Sequence, residues 1–522
     1  MGATPTQRAS AFADIAAKAE DLTRRCEGFL RVLPRPDEPP IVTRLRAMLG
    51  GNDDFCVAAA GPDGSGPWLL YLRSLVAPKR LWEEILAPLT AALRAGERLN
   101  SLWPTAQHAE TAAEAAEGIL RGSTAIVFGP SMAEGCILYD VAHHPGRAVE
   151  QPKTEQVIVG PKEAFVEGLD TNLALLRAWF PDTSLRVEIV RVGRRSQSRI
   201  AVTYLQDVVR SGLVPAVLDG LRRIRTDSVR TDWQVAEYLT SGSLTPFPLA
   251  ESTERPDKVA EALADGRVAV FTEHSPFPFL LPTTVFEFQT DAEAALPGPL
   301  VTAFIRSLRH LGTFLAVTMP GLVVSLLSAN PGPLKPELAH TLSLTRIGLP
   351  YPVFPEILVM MIIVDVFNEA TAQAPGGVGN ALAIVGTLII GQISVAARLV
   401  SELVMIVAAA TSLGSFLTLR YQFSYPVRML KYPILALSGI TGLFGWVAGA
   451  LFLVVHLASL KSAGVPYLAP LAPLHAQALV SQDLARKSRP GVRRRSPVWE
   501  PADPVRGGPE GTDGHRPDEA PS

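Results

Sequence analysis

Apolar residues are distributed unevenly along this chain. Up to about residue 300, charged residues recur throughout and apolar runs stay short. Beyond that point come long apolar stretches: His310–Ser328, Val353–Val364, Ala381–Ala397, Leu403–Leu419 and Ile434–Leu460. A run of about 18 or more apolar residues is long enough to cross the hydrocarbon core of a bilayer. The pattern therefore predicts a membrane protein with a large soluble head before four to six spans.

The head has the pattern of a mixed α/β structure. Leu81–Leu99 carries apolar residues at helical spacing. Val57–Ala60 and Trp68–Leu75 are short apolar runs with the turn signal Gly61–Gly64 between them, which is typical of a β-hairpin. Helices and strands alternate without an internal repeat. The predicted fold class is an α/β cytoplasmic head in two lobes, followed by an α-helical, multi-span membrane domain.

These shifts in composition define four regions. We expect a polar helical extension over 1–45, an α/β domain in two subdomains over 46–300, a transmembrane helical domain over 301–475, and a basic, then disordered tail over 476–522. The first thirty residues lack the apolar core of a signal peptide, so we expect the head to be cytoplasmic.

Basic residues bear on the orientation of the last apolar stretch. The cluster Arg486–Arg495 favours a cytoplasmic tail under the positive-inside rule. Ile434–Leu460 has basic residues on both sides, Arg428 before it and Lys461 after it, and a single span cannot satisfy both. Either this stretch bends back on itself, or one loop departs from the rule.

Composition and motifs argue against several classes of function. A net charge of −2 over 522 residues gives no electrostatic case for nucleic-acid binding. The three cysteines are far apart, which favours neither a zinc site nor a disulfide framework. The head lacks the sequence patterns of a phosphate-binding loop, a zinc protease and a serine hydrolase. We therefore expect no enzyme activity, no metal and no cofactor.

A polar stripe runs along the predicted span Gly379–Arg398. Its small or polar members follow one another at steps of three or four residues, which places them on one helix face. They are Asn380, Thr387, Gly391 and Ser394, with Ile384 and Arg398 on the same face. In a membrane such a stripe either packs closely against another helix or lines water.

Carboxylates occur within or beside the apolar stretch that begins at Val353. Glu356 lies inside this stretch, and Asp365 and Glu369 follow it. Carboxylates at bilayer depth are costly, so they usually face protein or water and mark function. The alternative places Asp365 and Glu369 at the membrane interface without a special role.

Several segments of the chain resemble the A-subunit family of bacterial spore germinant receptors, the GerA family. The resemblance covers about residues 45–490 and is most specific in three places, which occur in family order: Pro152–Glu155 with Gly160–Glu167 and Thr171–Arg177; Phe247-Pro248 with Thr253–Asp257 and Gly266–Val270; and Lys461–Pro470 with Leu471–Pro473. Gln151 replaces the usual Glu, and Met361 stands where an acidic residue is expected. The tail after Arg495 matches no part of the family pattern.

The motif Thr253, Glu254, Arg255, Pro256 and Asp257 also has a structural interpretation. We expect a helix start with Thr253 as the cap, Pro256 in the first turn and Asp257 near the positive helix end. The helix would run to Ala264 and stop at Gly266, before a strand over Val268–Phe271. In the alternative interpretation, Glu254 and Arg255 contact a neighbouring subunit.

The resemblance implies a function for the whole chain. It implies the A subunit of a nutrient germinant receptor in the spore inner membrane, with a transporter-like B subunit and a lipoprotein C subunit as partners. The A subunit would oligomerise into a ligand-gated cation channel, with the stripe residues lining the pore and Glu356, Asp365 and Glu369 attracting cations. Two alternatives remain: a scaffold that clusters the other subunits, and a secondary transporter, which would need repeats that the sequence lacks.

Overall fold

The chain divides into two compact units. The computed structural model describes residues 39–59, 67–95, 102–128, 136–142, 152, 155, 161–240, 245–289, 299–329, 332–333, 335–373, 391–417, 421–475 and 494–506. The head unit comprises the described residues of Met1–Ser241, Ser252–Leu281 and Trp499–Pro504. The helical unit comprises those of Gly242–Glu251, Pro282–Val498 and Val505–Ser522.

The first half of the head unit is a five-stranded antiparallel sheet in the order β1-β2-β4-β5-β3. Its strands are β1 Phe55–Ala59, β2 Trp68–Leu72, β3 Gln107–His108, β4 Ser123–Val127 and β5 Cys136–Asp140. Its helices are α1 Pro40–Leu49, α2 Ala87–Ala95, which continues the helical turns Pro78–Arg80 and Leu81–Leu86, and α3 Ala112–Leu120. The prediction of an α/β head is confirmed.

Strand β2 shows why this sheet is covered on both faces. Side chains alternate along a strand, so Leu70 and Leu72 point to one face and Leu69 and Tyr71 to the other. The first pair belongs to the core formed with α1 and α3. The second pair belongs to a core formed with the helical segment that ends in α2. All five residues of β2 are buried, as expected for a strand between two helical layers.

The second half of the head unit contains another five-stranded sheet, in the order β6-β7-β9-β10-β8. Its strands are β6 Leu185–Val192, β7 Ser198–Leu205, β8 Glu251–Ser252, β9 Val268–Thr272 and β10 Phe279–Leu281. Its helices are α4 Leu169–Trp179, α5 Leu213–Arg223, α6 Asp232–Thr240 and α7 Pro256–Ala264. Helices α4 and α7 supply Leu173, Leu176, Val259 and Leu263 to a core with the sheet.

A buried ion pair joins the two halves of the head unit. Arg177 of α4 donates from Nη2 to Oδ1 of Asp54, 2.8 Å away, and these side chains are 1% and 0% exposed. The same Nη2 reaches Asn52 Oδ1 at 3.2 Å, and Ser74 donates to the other carboxylate oxygen of Asp54. Asn52 Oδ1 also accepts from the backbone N–H of Val187 in β6. The first sheet is thereby held against the second through a fully buried polar link.

The head cysteines within the described residues are unpaired thiols that are shielded from water to different degrees. Cys136 in β5 is 1% exposed, and Cys56 in β1 is half-buried. Burial raises the pKa of both thiols to about 11. Both residues therefore pack as small hydrophobic side chains.

The helical unit contains α8 Pro299–Val324, α9 Pro336–Leu344, α10 Val353–Gln373, α11 Glu402–Phe416, α12 Tyr421–Thr441 and α13 Leu443–Ser459, with a small hairpin of β11 Lys461–Ser462 and β12 Val465–Pro466. Within the described residues, one helical segment is long and apolar enough to cross a membrane, Leu300–Ser328. Glu402–Ser415 and Leu443–Ser459 are shorter apolar helices. The multi-span domain therefore stays a prediction.

The apolar stretch 434–460 bends back on itself at Gly442. This glycine has φ +64° between α12 and α13, a conformation that side chains disfavour. A Cβ atom at Gly445 would lie 2.1 Å from the carbonyl oxygen of Leu437, and one at Gly449 would lie 3.1 Å from Ile434. The later glycine on α13 faces the earlier residue on α12, so the two helices run antiparallel. They form a close hairpin. The alternative in which the stretch bends back is the one the structure adopts.

Helix α10 is longer than its apolar run. The sequence predicted Val353–Val364, whereas the helix continues to Gln373 and includes Asp365 and Glu369. The charges do not end the helix, because Asp365 finds a basic partner on α12. In the C-terminal tail, residues 494–506 have defined structure where disorder was expected, with an isolated bridge between Arg494 and Val505.

Replacing Arg177 by Met should destabilise the head unit by about 3–5 kcal/mol, because Asp54 would remain buried without its counter-charge. The double replacement Arg177→Met with Asp54→Asn should recover a large part of this loss, since it removes both charges. Urea titration of the full chain in detergent, followed by tryptophan fluorescence, measures the effect. The matched control is Arg191→Met, at an exposed arginine of β6. If the double variant is no more stable than the single one, the ion pair is not the source of the loss.

The thiols of Cys56 and Cys136 should resist alkylation in the folded chain. With a pKa of about 11, roughly 0.1% of each thiol is ionised at pH 8, and the thiolate is the reactive form. Peptide mapping after iodoacetamide treatment at pH 8 should show slow labelling at both positions and rapid labelling after denaturation. Equal labelling in the two states would contradict the buried environment.

Candidate functional site

Charged side chains meet between α10 and α12 inside the helical unit. Helix α10 brings Asp365, and α12 brings Arg428, Lys431 and Tyr432. Positions 428, 431 and 432 lie three and four residues apart, so they share one face of α12. We call these four residues the acid–base cluster.

The contacts in the acid–base cluster are short and varied. Lys431 Nζ donates to the Asp365 carboxylate at 2.9 Å, and the Tyr432 hydroxyl donates to Oδ2 at 2.6 Å. Arg428 Nε lies 3.6 Å from Oδ1. The Lys431 side chain is 4% exposed and that of Asp365 is 21% exposed. One carboxylate therefore faces two cations, and its charge is already compensated within the unit.

Glu356, the second carboxylate of α10, has different partners. Its side chain is fully buried and accepts from Arg346 Nη1 at 2.8 Å. It also accepts from the backbone N–H of Ser401, the residue that caps α11. A carboxylate at the positive end of a helix is stabilising, so these contacts give Glu356 a structural role. Its cation-attracting role stays a prediction that this pairing does not favour. Glu369 lies further along α10 and is half-buried.

The polar stripe is described only in part. Asn380 and Thr387 lie outside the described residues. Residues 391–396 are helical, with Gly391 buried and Ser394 half-buried. A Cβ atom at Gly391 would lie 2.7 Å from the terminal methyl of Met405 in α11. At this position the small residue permits close packing, while the pore-lining role of the stripe stays a prediction.

The motif Thr253–Asp257 is buried in the head unit. Arg255 and Asp257 form a bidentate ion pair at 3.1 and 2.6 Å, and Pro256 is the first residue of α7. The prediction that Thr253 caps the helix is wrong, because Arg255 occupies the cap position. The Thr253 hydroxyl accepts from the backbone N–H of Arg255 at 3.3 Å and makes a local turn before the helix.

The first two segments that carry the resemblance meet in the head unit. The Glu254 carboxylate accepts from the backbone N–H of Glu155, and the Glu254 carbonyl accepts from that of Phe165. Asn172 exchanges two hydrogen bonds with the backbone of Val166. These residues hold the head together. Their buried positions favour the structural interpretation of the Thr253–Asp257 motif over a subunit contact.

Sequence reasoning identified Asp365 but missed its partners Lys431 and Tyr432, and it missed Arg346 beside Glu356. One signal was available, since basic residues at 428 and 431 lie at helical spacing beside an apolar stretch. Charges in apolar helices usually pair with one another, so Asp365 in the sequence predicts a basic partner on another helix. Asp365 and Lys431 are 66 residues apart, so spacing along the sequence does not indicate which basic residue is the partner.

Comparison with known proteins adds to this geometry. The model of the Bacillus/Clostridium GerA spore germination protein family matches residues 43–497. Spore germination protein B1 of Bacillus subtilis (strain 168) is 29% identical over 470 residues, which cover 88% of this chain and 97% of that protein. The uncharacterized membrane protein YfkQ of the same organism is 28% identical over 413 residues, 78% of this chain and 80% of its own length.

A solved structure is also similar to part of the chain. It is the crystal structure of the N-terminal domain of the A subunit of the Bacillus megaterium spore germinant receptor GerK3. The match covers 46% of this chain and 92% of that chain, at 21% sequence identity and a TM-score of 0.34.

An α/β head unit and a helical unit that contains one described helix long and apolar enough to cross a membrane define the class, a two-unit chain with a folded head. The chain belongs to the GerA family of spore germination proteins, because the family model matches residues 43–497 of its 522 residues. The resemblance drawn from the three motif regions is thereby confirmed.

Removing one charge of the acid–base cluster should lower the stability of the chain more than removing two opposite charges. Lys431→Met leaves Asp365 without its closest cation in a poorly solvated position, whereas Lys431→Met with Asp365→Asn removes both charges. We expect the single variant to lower the melting temperature of the full chain in detergent, and the double variant to restore much of it. Lys461→Met, at an exposed lysine after α13, is the control and should change little. A double variant as unstable as the single one would contradict a direct pair.

Proposed function

We propose that this chain is the A subunit of a nutrient germinant receptor in the spore inner membrane. Membership of the GerA family supports a role in spore germination. Membrane association is supported by the apolar helix Leu300–Ser328 and by similarity to YfkQ, which is named a membrane protein. The head and the C-terminal tail would both be cytoplasmic. The partners would be the transporter-like B subunit and the lipoprotein C subunit that the family resemblance implies.

The finer proposal is a ligand-gated cation channel formed by several copies of this chain. Asn380, Thr387, Gly391 and Ser394 would line its pore, and Asp365 and Glu369 would attract cations, whereas Glu356 would keep the structural role that its pair with Arg346 gives it. The observation that carries the proposal is the acid–base cluster. Buried charges among apolar helices are costly and usually mark function.

The cluster also gives the proposed channel a mechanism. In the arrangement described here, Lys431 and Tyr432 occupy both oxygens of Asp365. A shift of α10 against α12 would separate these partners and return a free negative charge to Asp365. Nutrient binding elsewhere in the receptor would favour that second arrangement, and cations would then enter. A compensated carboxylate thus corresponds to the closed state.

A scaffold that clusters the other subunits is the second candidate, and one observation favours it. Gly391 lies against Met405, as expected of a residue whose small size serves helix packing. A scaffold needs no pore, so changes in the stripe would leave ion release intact once the receptor assembles. The secondary transporter has less support, because the sequence has no internal repeat.

Bulky replacements in the stripe should slow ion movement. Gly391→Leu and Thr387→Leu would each narrow the proposed pore, and we expect a roughly tenfold loss of cation flux, since conduction depends on pore diameter. The measurement is flux through the chain reconstituted in liposomes, alone and with its B and C subunits. Ile393→Phe, at a side chain that is 61% exposed, is the matched control for added bulk and should conduct normally.

The outcome separates the two candidates. Unchanged flux in both stripe variants, with normal assembly, would contradict the pore assignment. A flux that is absent from every reconstitution, while the subunits still associate with the chain, would favour the scaffold.

A further inference from the structure

The C-terminal segment Trp499–Pro504, which we call the strap, packs in the head unit. Helices α8 to α13 of the helical unit all precede it in the sequence, yet its contacts place it with the head unit. The strap begins just beyond residue 497, where the match to the family model ends. Its docking is therefore a feature of this chain that the family comparison does not cover.

The strap is anchored by an aromatic side chain over a buried cation. Trp499 is 5% exposed, and the guanidinium carbon of Arg267 lies 5.0 Å from the centre of its ring. Arg267 is itself 3% exposed. A cation over an indole face is strongest when both groups are shielded from water. Tryptophan packed on arginine is also a common centre of binding energy in protein interfaces.

Three further contacts follow the anchor. The backbone N–H of Ala502 donates to the carbonyl of Val208 at 2.8 Å. Glu500 pairs with Arg210 at 2.9 Å on the rim, where the Glu500 side chain is 66% exposed. Pro501 lies 3.3 Å from the point where a Cβ atom at Gly266 would stand. A buried aromatic anchor, a main-chain hydrogen bond and an exposed charged rim are the features of a peptide bound in a groove.

The strap meets the head unit at one end of α7. Gly266 and Arg267 follow this helix after its capping residue Asp265, and the Thr253–Asp257 motif lies at its other end. Helix α7 contributes Val259 and Leu263 to the core on the second sheet. The strap and the family motif therefore contact opposite ends of one rigid helix.

We propose that the strap is a releasable latch, held in cis in a groove formed by Val208, Arg210, Gly266 and Arg267. Its contacts include one buried side chain, one backbone hydrogen bond and one exposed ion pair, which is weak, and the strap is six residues long. Such a contact is small beside a permanent interface. Release would expose the face of Arg267 and free the C-terminal part of the chain from the head. Only the effect of release on germination rests on the proposed function, since docking does not depend on it.

The test uses the full chain in detergent and a labelled peptide of residues 496–505. In the wild-type chain the tethered strap competes for the groove at high effective concentration, whereas Trp499→Ala should vacate it. We expect the peptide to bind the Trp499→Ala chain roughly tenfold more tightly than the wild type, because the tethered competitor is lost. The same peptide with its tryptophan replaced by alanine should not bind. Trp179→Ala, at a tryptophan of α4 that is 41% exposed, is the matched control and should bind like the wild type.

A second measurement guards against collapse of the vacated groove. Trypsin cleavage after Arg495 should be faster in the Trp499→Ala chain than in the wild type and the Trp179→Ala control. Equal peptide binding to the wild type and the Trp499→Ala chain overturns the latch, and so does unchanged cleavage. Peptide that dissociates dimers of the wild-type chain would place the strap in the groove of a second copy and would overturn docking in cis. Neither assay measures germination, so failure here is separate from failure of the proposed function.

Discussion

The arrangement of the two sheets in the head depends on one buried ion pair, in which each charge needs the other as its counter-charge. Arg177 comes from the helix that opens the second half of the head, and Asp54 from the first half. Neither side chain reaches water, so each would carry a large desolvation cost alone. Asn52 extends the pair to the backbone of Val187 in the second sheet. Sliding or separating the two sheets would leave a buried ion without its partner. The ion pair therefore holds the second sheet, with α7 and the strap groove, at a defined position in the head.

Charge compensation is also found in the helical unit, but there the compensated carboxylate is less buried. The charge of Asp365 is compensated by Lys431 and Arg428, but its side chain keeps 21% exposure, against 0% for Asp54. The head pair is tied to the backbone of the second sheet, because Asn52 Oδ1 accepts both from Arg177 and from the backbone N–H of Val187. In the acid–base cluster, by contrast, the Asp365 carboxylate is bound by Lys431, Tyr432 and Arg428, which are side chains of one neighbouring helix. A link made through one helix face is lost when that helix shifts, so the first pair suits a fixed joint and the second suits a switch.

Local signals were predictable from the sequence, and distant partners were not. Helix α7 and the strand after it were placed within two residues, because Pro256 and Gly266, with φ +91°, act on their own backbone. The predicted cap is wrong because the Thr253 hydroxyl accepts from the backbone N–H of Arg255, two residues further along, in a turn before the helix. The predicted helix α10 is too short because Asp365 reads as a polar end of the apolar run, and its partner Lys431 is far away in the sequence. The strap was missed because Trp499 stands alone, without an apolar run to mark it.

The compensation of Asp365 bears on how a cation path would work. A carboxylate that attracts cations at rest should be solvated and free of basic partners. Asp365 instead has Lys431 at 2.9 Å and Arg428 at 3.6 Å, so a cation near it would meet two positive charges. An attractive role for Asp365 then requires movement of α12 first. A permanently open pore lined by this carboxylate conflicts with the geometry, whereas a pore that opens only when the cluster separates agrees with it.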